Sequence, residues 1–352
     1  MQLTSLTLQN FRNYKDLTLD LADARVLALV GDNAQGKTNL LEAIAFLALG
    51  KSFRARHSLE ALQWEAPHGR VKGEVRGQEL EVFLQATPEL RTLRLNQKNA
   101  SPATFFGHLR VVLFTPEHLE LVSGGPKLRR QYLDRVLLQM DPLYLDAFTS
   151  YQKLLKQRNA LLKRIQFKKA QDWELDLWDL RLAQEAGKIW KAREHFLHFL
   201  KDHLEGLYQS IAGSKALLTL ESKTQSERYE EQLLAFRATD LRLGSTSLGP
   251  HRDDFILKLK GHELAETGSR GECRSAVLAL KIAEIHYLEE KTKQKPLLLL
   301  DDVFSELDTK RQAHLTELLE QYDAVITTTD PGVLQGLHHV KLVDVKAGQI
   351  NW

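Results

Sequence analysis

The sequence is poor in cysteine and has no long apolar run. Cys273 is the single cysteine among 352 residues, so no disulfide can form within the chain, which fits a reducing compartment. The longest apolar candidate, residues 40–49, is interrupted by Glu42 and is shorter than the roughly 18 residues that cross a bilayer. The first residues lack a charged leader and an apolar segment, so we expect no signal peptide. These absences predict a cytoplasmic protein without a membrane partner.

The sequence also lacks a strong net charge. Lys and Arg total 48 and Asp and Glu total 46, which gives +2. A balance this even does not by itself indicate a nucleic-acid-binding protein, so any basic surface must be local. Hydrophobic residues make up 43% of the chain, enough to bury a large core, and the length suits two domains or one core with an insertion.

The order of periodic segments predicts an α/β protein with an insertion. Leu17, Leu19 and Leu21 alternate with polar residues, as in a half-buried strand. Residues 26–30 are continuously apolar, as in a fully buried strand. Residues 127–213 follow a helical pattern, and residues 274–328 return to alternating helix and strand. We therefore predict a discontinuous core, residues 1–115 and 246–352, and a mainly helical inserted domain, residues 116–245.

A phosphate-binding loop lies between the buried strand and the next helix. Residues 31–38 fit the pattern G-x-x-x-x-G-K-[ST] without a mismatch, and the strand–loop–helix context is the one this pattern requires. The backbone amides of such a loop attract phosphate, the lysine reaches the β- and γ-phosphates, and the hydroxyl binds Mg²⁺. The alternative is a glycine-rich turn that matches the pattern by chance, but such a turn would have no reason to lie between a buried strand and a helix. The predicted ATP-binding residues of the loop are Gly31, Asp32, Asn33, Ala34, Gln35, Gly36, Lys37 and Thr38, with Asn39 directly after it.

A second apolar segment, residues 297–300, ends in Asp301 and Asp302. Acids at the carboxyl end of a buried strand can face a ligand crevice. We predict that Asp301 shares Mg²⁺ with Thr38, partly through water, and that Asp302 is the catalytic carboxylate for the attacking water. A solvated acidic turn is the alternative when this segment is considered alone.

Residues 268–272 resemble the L-S-G-G-Q signature of ABC-type ATPases, with Gly268 in place of the usual first residue. The resemblance implies an ABC-type P-loop ATPase head in which Ser269, Gly271 and Glu272 meet the nucleotide held by a second subunit, with Ser269 contributing to catalysis. An ordinary helix start is the alternative, with Ser269 as N-cap and Glu272 completing a capping box. The order of the motifs along the chain favours the first interpretation.

Two departures from the ABC pattern have consequences. Such ATPases usually carry Glu where this chain has Asp302, and the shorter side chain predicts slow hydrolysis. The usual switch histidine has no obvious counterpart, because residues 327–330 read Thr-Thr-Thr-Asp. The sequence therefore leaves the residue that senses the γ-phosphate unassigned.

Four further segments resemble the RecF family of bacterial recombination mediators. They are residues 10–14, 116–134, 151–159 and 249–254, spread over the whole chain in family order. The resemblance implies a weak, DNA-stimulated ATPase that dimerises with ATP and clamps duplex DNA or single-strand/double-strand junctions. It also implies work with RecR and RecO to load RecA at gaps during recombinational repair, and it brings Arg12 and Asn13 near the nucleotide.

The charge is concentrated in one stretch. Residues 127–169 contain 11 Lys and Arg against 3 Asp, a composition that suits contact with a phosphate backbone without base readout. Solvated helix faces are the alternative for any single residue. The DNA-binding candidates are Lys127, Arg129, Arg130, Lys153, Lys156 and Arg158.

Three other functions use the same ATP chemistry. A transporter motor would need a membrane partner and gives no reason for the RecF-like segments. A structural SMC-like head would need sustained heptads in the insertion, which are missing. A module that binds ATP without cleaving it would retain all motifs, and only a hydrolysis measurement separates it.

Overall fold

A computed structural model describes residues 1–55, 57–224 and 228–351 of the chain. Its strands are β1 (Leu3–Phe11), β2 (Tyr14–Asp20), β3 (Val26–Val30), β4 (His68–Val75), β5 (Gln78–Gln85), β6 (Leu90–Leu95), β7 (Lys98–Asn99), β8 (Val111–Phe114), β9 (Leu218–Lys223), β10 (Asp254–Leu259), β11 (His262–Glu263), β12 (Leu297–Asp301), β13 (Ala324–Thr328), β14 (Val340–Lys346) and β15 (Gln349–Asn351). Its helices are α1 (Lys37–Leu49), α2 (Pro102–Phe105), α3 (Glu120–Ser123), α4 (Pro126–Leu138), α5 (Pro142–Gln166), α6 (Asp176–Ala212), α7 (Tyr229–Ala235), α8 (Arg237–Leu243), α9 (Leu264–Thr267), α10 (Arg270–Thr292) and α11 (Thr309–Leu319).

The chain packs into two compact units. Unit 1 contains residues 1–119, 210–213 and 277–352, and unit 2 contains residues 120–209 and 214–276. Residues 246–276 lie in unit 2 because β10 pairs with β9, whereas the sequence grouped them with the core. The functional division of the chain into an ATPase core and an inserted domain stays a prediction.

Unit 1 is built on a largely parallel sheet with the order β15-β14-β3-β13-β12-β8. The pairs β14–β3, β3–β13, β13–β12 and β12–β8 are parallel, and β15 is antiparallel to β14. Residues 297–300 of β12 are completely buried, as expected for an apolar strand inside a parallel sheet. Because β3, β12 and β13 run the same way, the residues that follow them emerge at one edge of the sheet.

Helix α1 packs between this sheet and an antiparallel sheet with the order β2-β1-β4-β5-β6-β7. Its side chains are buried almost all round, and one apolar cluster joins Leu6 of β1, Phe46 of α1 and Leu299 of β12. The helix ends at Gly50, whose φ of 65° lets its N–H return to the Phe46 carbonyl at 2.8 Å. This burial holds the first turn of α1, and with it the phosphate-binding loop, in a fixed place.

Unit 2 contains α3, α4, α5, α7, α8, α9, most of α6 and the antiparallel sheet β11-β10-β9. Buried ion pairs connect its elements: Arg193 of α6 lies 2.7 Å from both Asp134 of α4 and Asp253.

Within the described part of the chain, no helix is long and apolar enough to cross a membrane.

Candidate functional site

The phosphate-binding loop leaves no room for side chains at two of its glycines. Gly36 has a φ of 117°, and a Cβ there would lie 2.6 Å from Asn13 Nδ2. Gly31 has a φ of 149°, and a Cβ there would lie 2.4 Å from the Val345 carbonyl oxygen. Glycine is therefore required at both positions, because the backbone must approach its neighbours closely.

Two neighbouring turns hold the loop. Tyr14 Oη donates to the Gly36 carbonyl at 3.0 Å, and Asn13 Nδ2 donates to the Gln35 carbonyl at 3.2 Å. From the turn between β14 and β15, the backbone N–H of Gly348 donates to the same carbonyl at 3.0 Å. Burial raises the pKa of Tyr14 far above its ordinary value, so its hydroxyl stays a donor.

The Lys37 side chain lies inside the loop. Its Nζ donates to the carbonyl oxygens of Gly31 and Asp32, the latter at 2.7 Å. Burial lowers the pKa of Lys37, and the charges of Asp302 and Asp301 partly oppose that shift. The ammonium group is thus positioned where the loop would enclose a phosphate, while Asp32, Asn33 and Ala34 are exposed along its rim.

Thr38 and Asp301, predicted from opposite ends of the chain to share Mg²⁺, are in direct contact. Thr38 Oγ1 donates to Asp301 Oδ1 at 2.7 Å. A hydroxyl and a carboxylate are oxygen ligands of the kind Mg²⁺ takes along with water. No group of three or more His, Cys, Asp or Glu side chains could hold a metal ion anywhere in the described ranges. The hydroxyl of Thr38 and the carboxylate of Asp301 thus fit a Mg²⁺ ion that keeps part of its water shell.

Asp302 has an unusual backbone conformation. Its φ is 50°, in the left-handed region that Asp adopts more readily than most residues. Burial raises the pKa of its carboxyl, the nearby Ser305 hydroxyl opposes that shift, and the charge of Asp301 adds to it.

The sequence did not identify one residue of this site. Thr327, at the end of β13, is buried, and its Oγ1 donates to Asp301 Oδ1 at 2.8 Å. Thr327 Oγ1 also accepts the backbone N–H of Asp302 at 2.9 Å. The sequence feature that could have identified Thr327 was a threonine at the carboxyl end of a buried strand, within residues 327–330, where no switch histidine was found.

Arg12 and Asn13 contact α1 and the loop that precedes it. The Arg12 guanidinium donates to both carboxylate oxygens of the buried Glu42, at 2.6 and 3.0 Å. Asn39 Nδ2 donates to Asn13 Oδ1 at 2.8 Å, next to the Gly36 backbone. In this structure Arg12 anchors α1, and Asn13 and Asn39 brace the loop; their contact with nucleotide stays a prediction.

The signature-like residues 268–272 lie in unit 2 at the start of α10. Ser269 Oγ accepts the Glu272 backbone N–H at 3.3 Å and the Ser269 backbone N–H donates to Glu272 Oε2 at 2.9 Å, so the capping box is formed. Ser269 Oγ also donates to Glu272 Oε2 at 2.8 Å. The backbone and side-chain bonds from Ser269 lower the pKa of Glu272. Ser269 is exposed and Gly268, Gly271 and Glu272 are half-buried, so this helix start is accessible to a second molecule.

The DNA-binding candidates divide by exposure. Arg158 is completely buried, and Arg129 forms a two-bond ion pair with Asp254 at 2.7 and 3.0 Å. Arg130 is half-buried and donates to the Asp253 carbonyl at 2.8 Å. The exposed candidates are Lys127, Lys153 and Lys156. The last two continue along α5 into further exposed basic residues, so we define the α5 basic face as Lys153, Lys156, Lys163 and Arg164.

Fold and site together are those of an ABC-type P-loop ATPase head. The family model described as RecF/RecN/SMC N terminal domain matches residues 2–350. In fold, the chain is similar to an Smc head domain from Pyrococcus furiosus, with a TM-score of 0.55 and 14% identity over 99% of this chain and 95% of the other.

Similarity is much higher to one branch of that class. The DNA replication and repair protein RecF of Bacillus mycoides is 36% identical, with 98% of this chain and 96% of that protein covered. The protein of the same name from an Exiguobacterium species is 38% identical over 99% of each chain. The structure of the recombination mediator protein RecF with ATP in the RecFOR pathway superposes with a TM-score of 0.91 and 30% identity, covering 99% of this chain and 97% of the other. The chain belongs to the RecF family.

Proposed function

We propose that the protein is an ATP-binding and ATP-hydrolysing DNA-repair protein of the RecFOR type. The observation that carries this proposal is the contact between Thr38 of the phosphate-binding loop and Asp301 of the acidic strand. This contact joins a phosphate cradle to a magnesium-binding carboxylate. The curated relatives are named for DNA replication and repair, and a solved relative was studied with ATP, which supports the same role here.

The chain's own groups provide the nucleotide site. The loop amides and Lys37 would bind the phosphates of ATP, and Thr38 and Asp301 would hold Mg²⁺. The metal ion would supply charge neutralisation at the phosphates. Asp302 would orient a water molecule and take up its proton. A side chain one methylene shorter than Glu reaches less far, so we expect slow turnover, stimulated when DNA is bound.

We propose that ATP joins two copies of the chain. The exposed Ser269 and the half-buried Gly271 and Glu272 of one copy would meet the outer phosphate held by Lys37 of the other. Ser269 Oγ is at present committed to Glu272, and this carboxylate can keep its bond from the Ser269 backbone N–H, 2.9 Å, when the hydroxyl turns towards a phosphate.

The DNA-binding part of the proposal rests on the exposed lysines. Lys127 and the α5 basic face offer cations to a phosphate backbone without base-reading groups. A dimer that closes with ATP would hold duplex DNA or a single-strand/double-strand junction and open after hydrolysis. RecR, RecO and, indirectly, RecA would be its partners in the cytoplasm, as the RecFOR pathway of the solved relative suggests.

Sedimentation with and without ATP and duplex DNA tests this function. We expect the wild type to double in mass with ATP, and Lys37→Ala and Ser269→Arg to stay monomeric. Matched controls are Lys15→Ala and Ser210→Arg, which alter exposed residues of the same types outside the site and should dimerise normally. Normal ATP-dependent dimerisation of both site variants would contradict the mechanism. Phosphate release by wild type but not by Asp302→Asn would separate hydrolysis from ATP binding alone.

A further inference from the structure

Thr327 connects the two consecutive acids of the site. Its Oγ1 donates its single hydrogen to Asp301 Oδ1 at 2.8 Å and accepts the Asp302 backbone N–H at 2.9 Å. A hydroxyl has one hydrogen to donate and lone pairs to accept, so both bonds use its full donor capacity without conflict. The hydroxyl is buried with Thr327 only 1% exposed, which makes each bond costly to lose.

The sheet fixes this arrangement. Strands β12 and β13 are parallel, and Thr327 is the register partner of Asp301. The Asp302 N–H also points at the Thr327 carbonyl at 3.2 Å, so one amide is held by two oxygens of the same residue. A β-branched side chain in a strand has few χ1 rotamers, which keeps the hydroxyl in place before any ligand binds.

Asp302 needs such support. Its left-handed φ of 50° is sparsely populated by residues other than glycine and persists where the surroundings enforce it. Ser305 Oγ donates to the Asp302 carbonyl at 2.7 Å, so the Asp302 peptide is held from both sides. The direction of its carboxylate follows from this backbone conformation.

We propose that Thr327 is a positioning residue for hydrolysis: its hydroxyl orients the Asp301 carboxylate and fixes the backbone from which the Asp302 side chain projects. The inference deepens the proposed ATPase function and rests on it. Thr327 acts through the two aspartates.

Thr328 provides a matched control. It is the next residue, it is also buried, and its Oγ1 bonds only locally among the contacts described, donating to the Asp330 carbonyl at 3.0 Å and accepting the Asp330 N–H at 3.1 Å. Thr→Val replaces a hydroxyl with a methyl of similar size at either position. If the substitutions only disturbed the packing of β13, Thr327→Val and Thr328→Val would lose phosphate release to the same extent.

The test compares Thr327→Val, Thr327→Ser and Thr328→Val in nucleotide binding, phosphate release and amide exchange. We expect Thr327→Val to bind ATP within about threefold of wild type but to release phosphate about tenfold more slowly, a loss in kcat and not in KM. Thr327→Ser keeps the hydroxyl and should restore most of the rate, and Thr328→Val should resemble wild type. Exchange of the Asp302 amide should be about tenfold faster in Thr327→Val alone.

Wild-type phosphate release by Thr327→Val would overturn the inference. If Thr327→Val does not fold, Thr327→Cys takes its place, because a thiol has a similar volume but forms only weak hydrogen bonds. Phosphate release by Thr327→Cys at the wild-type rate would overturn the inference. Slower phosphate release by Thr327→Cys than by Thr327→Ser would support it. If the wild type itself releases no phosphate, the proposed ATPase function is wrong. The amide-exchange comparison, which needs no ATP, still tests whether Thr327 holds Asp302.

Discussion

Arg158 Nε lies 2.6 Å from Asp179 Oδ1, and both side chains are buried inside unit 2. The other arm of the guanidinium, Nη1, lies 2.7 Å from Asp240 Oδ2, so one arginine joins α5, α6 and α8. A buried charge that loses its partner is expensive because it stays desolvated. The position of Arg158 is that of a structural residue.

We therefore expect Arg158→Ala to destabilise the protein by about 3 kcal/mol, since Asp240 loses its ion pair. Lys156→Ala, on the exposed side of the same helix, should change stability by less than about 0.5 kcal/mol. Urea denaturation followed by fluorescence measures both. Equal stability of the two variants would mean that the buried network does not hold unit 2 together.

Replacing both Lys153 and Lys156 with alanine should weaken DNA binding, because it reduces the electrostatic contribution to the affinity. The slope of log affinity against log salt is negative, and each lost phosphate contact reduces its magnitude by about 0.9 for duplex DNA, so we expect a magnitude smaller by about 2 in the double alanine variant. A filter-binding series over salt concentration gives the slope. Lys201→Ala, an exposed lysine on α6, serves as the control and should leave the slope unchanged.

Gly36→Ala should abolish ATP binding while the protein still folds. Its Cβ would lie 2.6 Å from Asn13 Nδ2, and the φ of 117° is strained for alanine, so the loop must move. Fluorescent-nucleotide titration tests this. The control is Gly187→Ala in α6, where a Cβ meets nothing within 4 Å, and which should bind ATP normally and gain about 0.5–1 kcal/mol in stability. Normal ATP affinity of Gly36→Ala would contradict the cradle geometry.

His251 should make the stability depend on pH. Its Nε2 faces the Thr246 carbonyl at 3.1 Å, which can only accept, so the neutral ring has Nδ1 free to accept from Tyr151 Oη at 2.6 Å. Burial lowers the pKa of His251 to about 4; the bond to Thr246 opposes the shift, the nearby charges of Arg252 and Arg130 add to it, and Asp240 opposes it.

The folded pKa of this histidine is below its unfolded value, so the unfolded state binds the extra proton first. Above about pH 7 the histidine is neutral in both states and does not reduce the free energy of unfolding. As the pH drops through 6.5 towards 4, the free energy of unfolding falls, by about 2 kcal/mol at pH 5. Urea denaturation at pH 7.5 and 5 measures the fall, and in His251→Gln it should be smaller by that amount. An equal fall in both proteins would show that other groups cause it.

Local patterns predicted the elements that carry the nucleotide site. The alternation of helix and strand expected over residues 274–328 is present as α10 (Arg270–Thr292), β12 (Leu297–Asp301), α11 (Thr309–Leu319) and β13 (Ala324–Thr328). The site at the sheet edge follows from such patterns, because a strand, its following loop and the next helix are all local in sequence.

What the sequence could not provide depends on pairing between distant residues. The role of Thr327 follows from its register with Asp301, which is a property of the sheet and not of either segment. Arg158 has the same charge as its neighbour Lys156, and only packing against Asp179 and Asp240 distinguishes a buried arginine from an exposed lysine. A count of basic residues along a helix does not say which of its faces meets solvent.

In the proposed dimer, each nucleotide is bound between the loop of one copy and the α10 start of the other. Mixing two inactive variants tests this arrangement. Lys37→Ala keeps a working Ser269, and Ser269→Arg keeps a working Lys37, so a mixed dimer contains one intact site. We expect that neither variant alone dimerises or releases phosphate with ATP, whereas the equimolar mixture regains both in part. A mixture as inactive as its components, or a Ser269→Arg protein that is fully active alone, would contradict it.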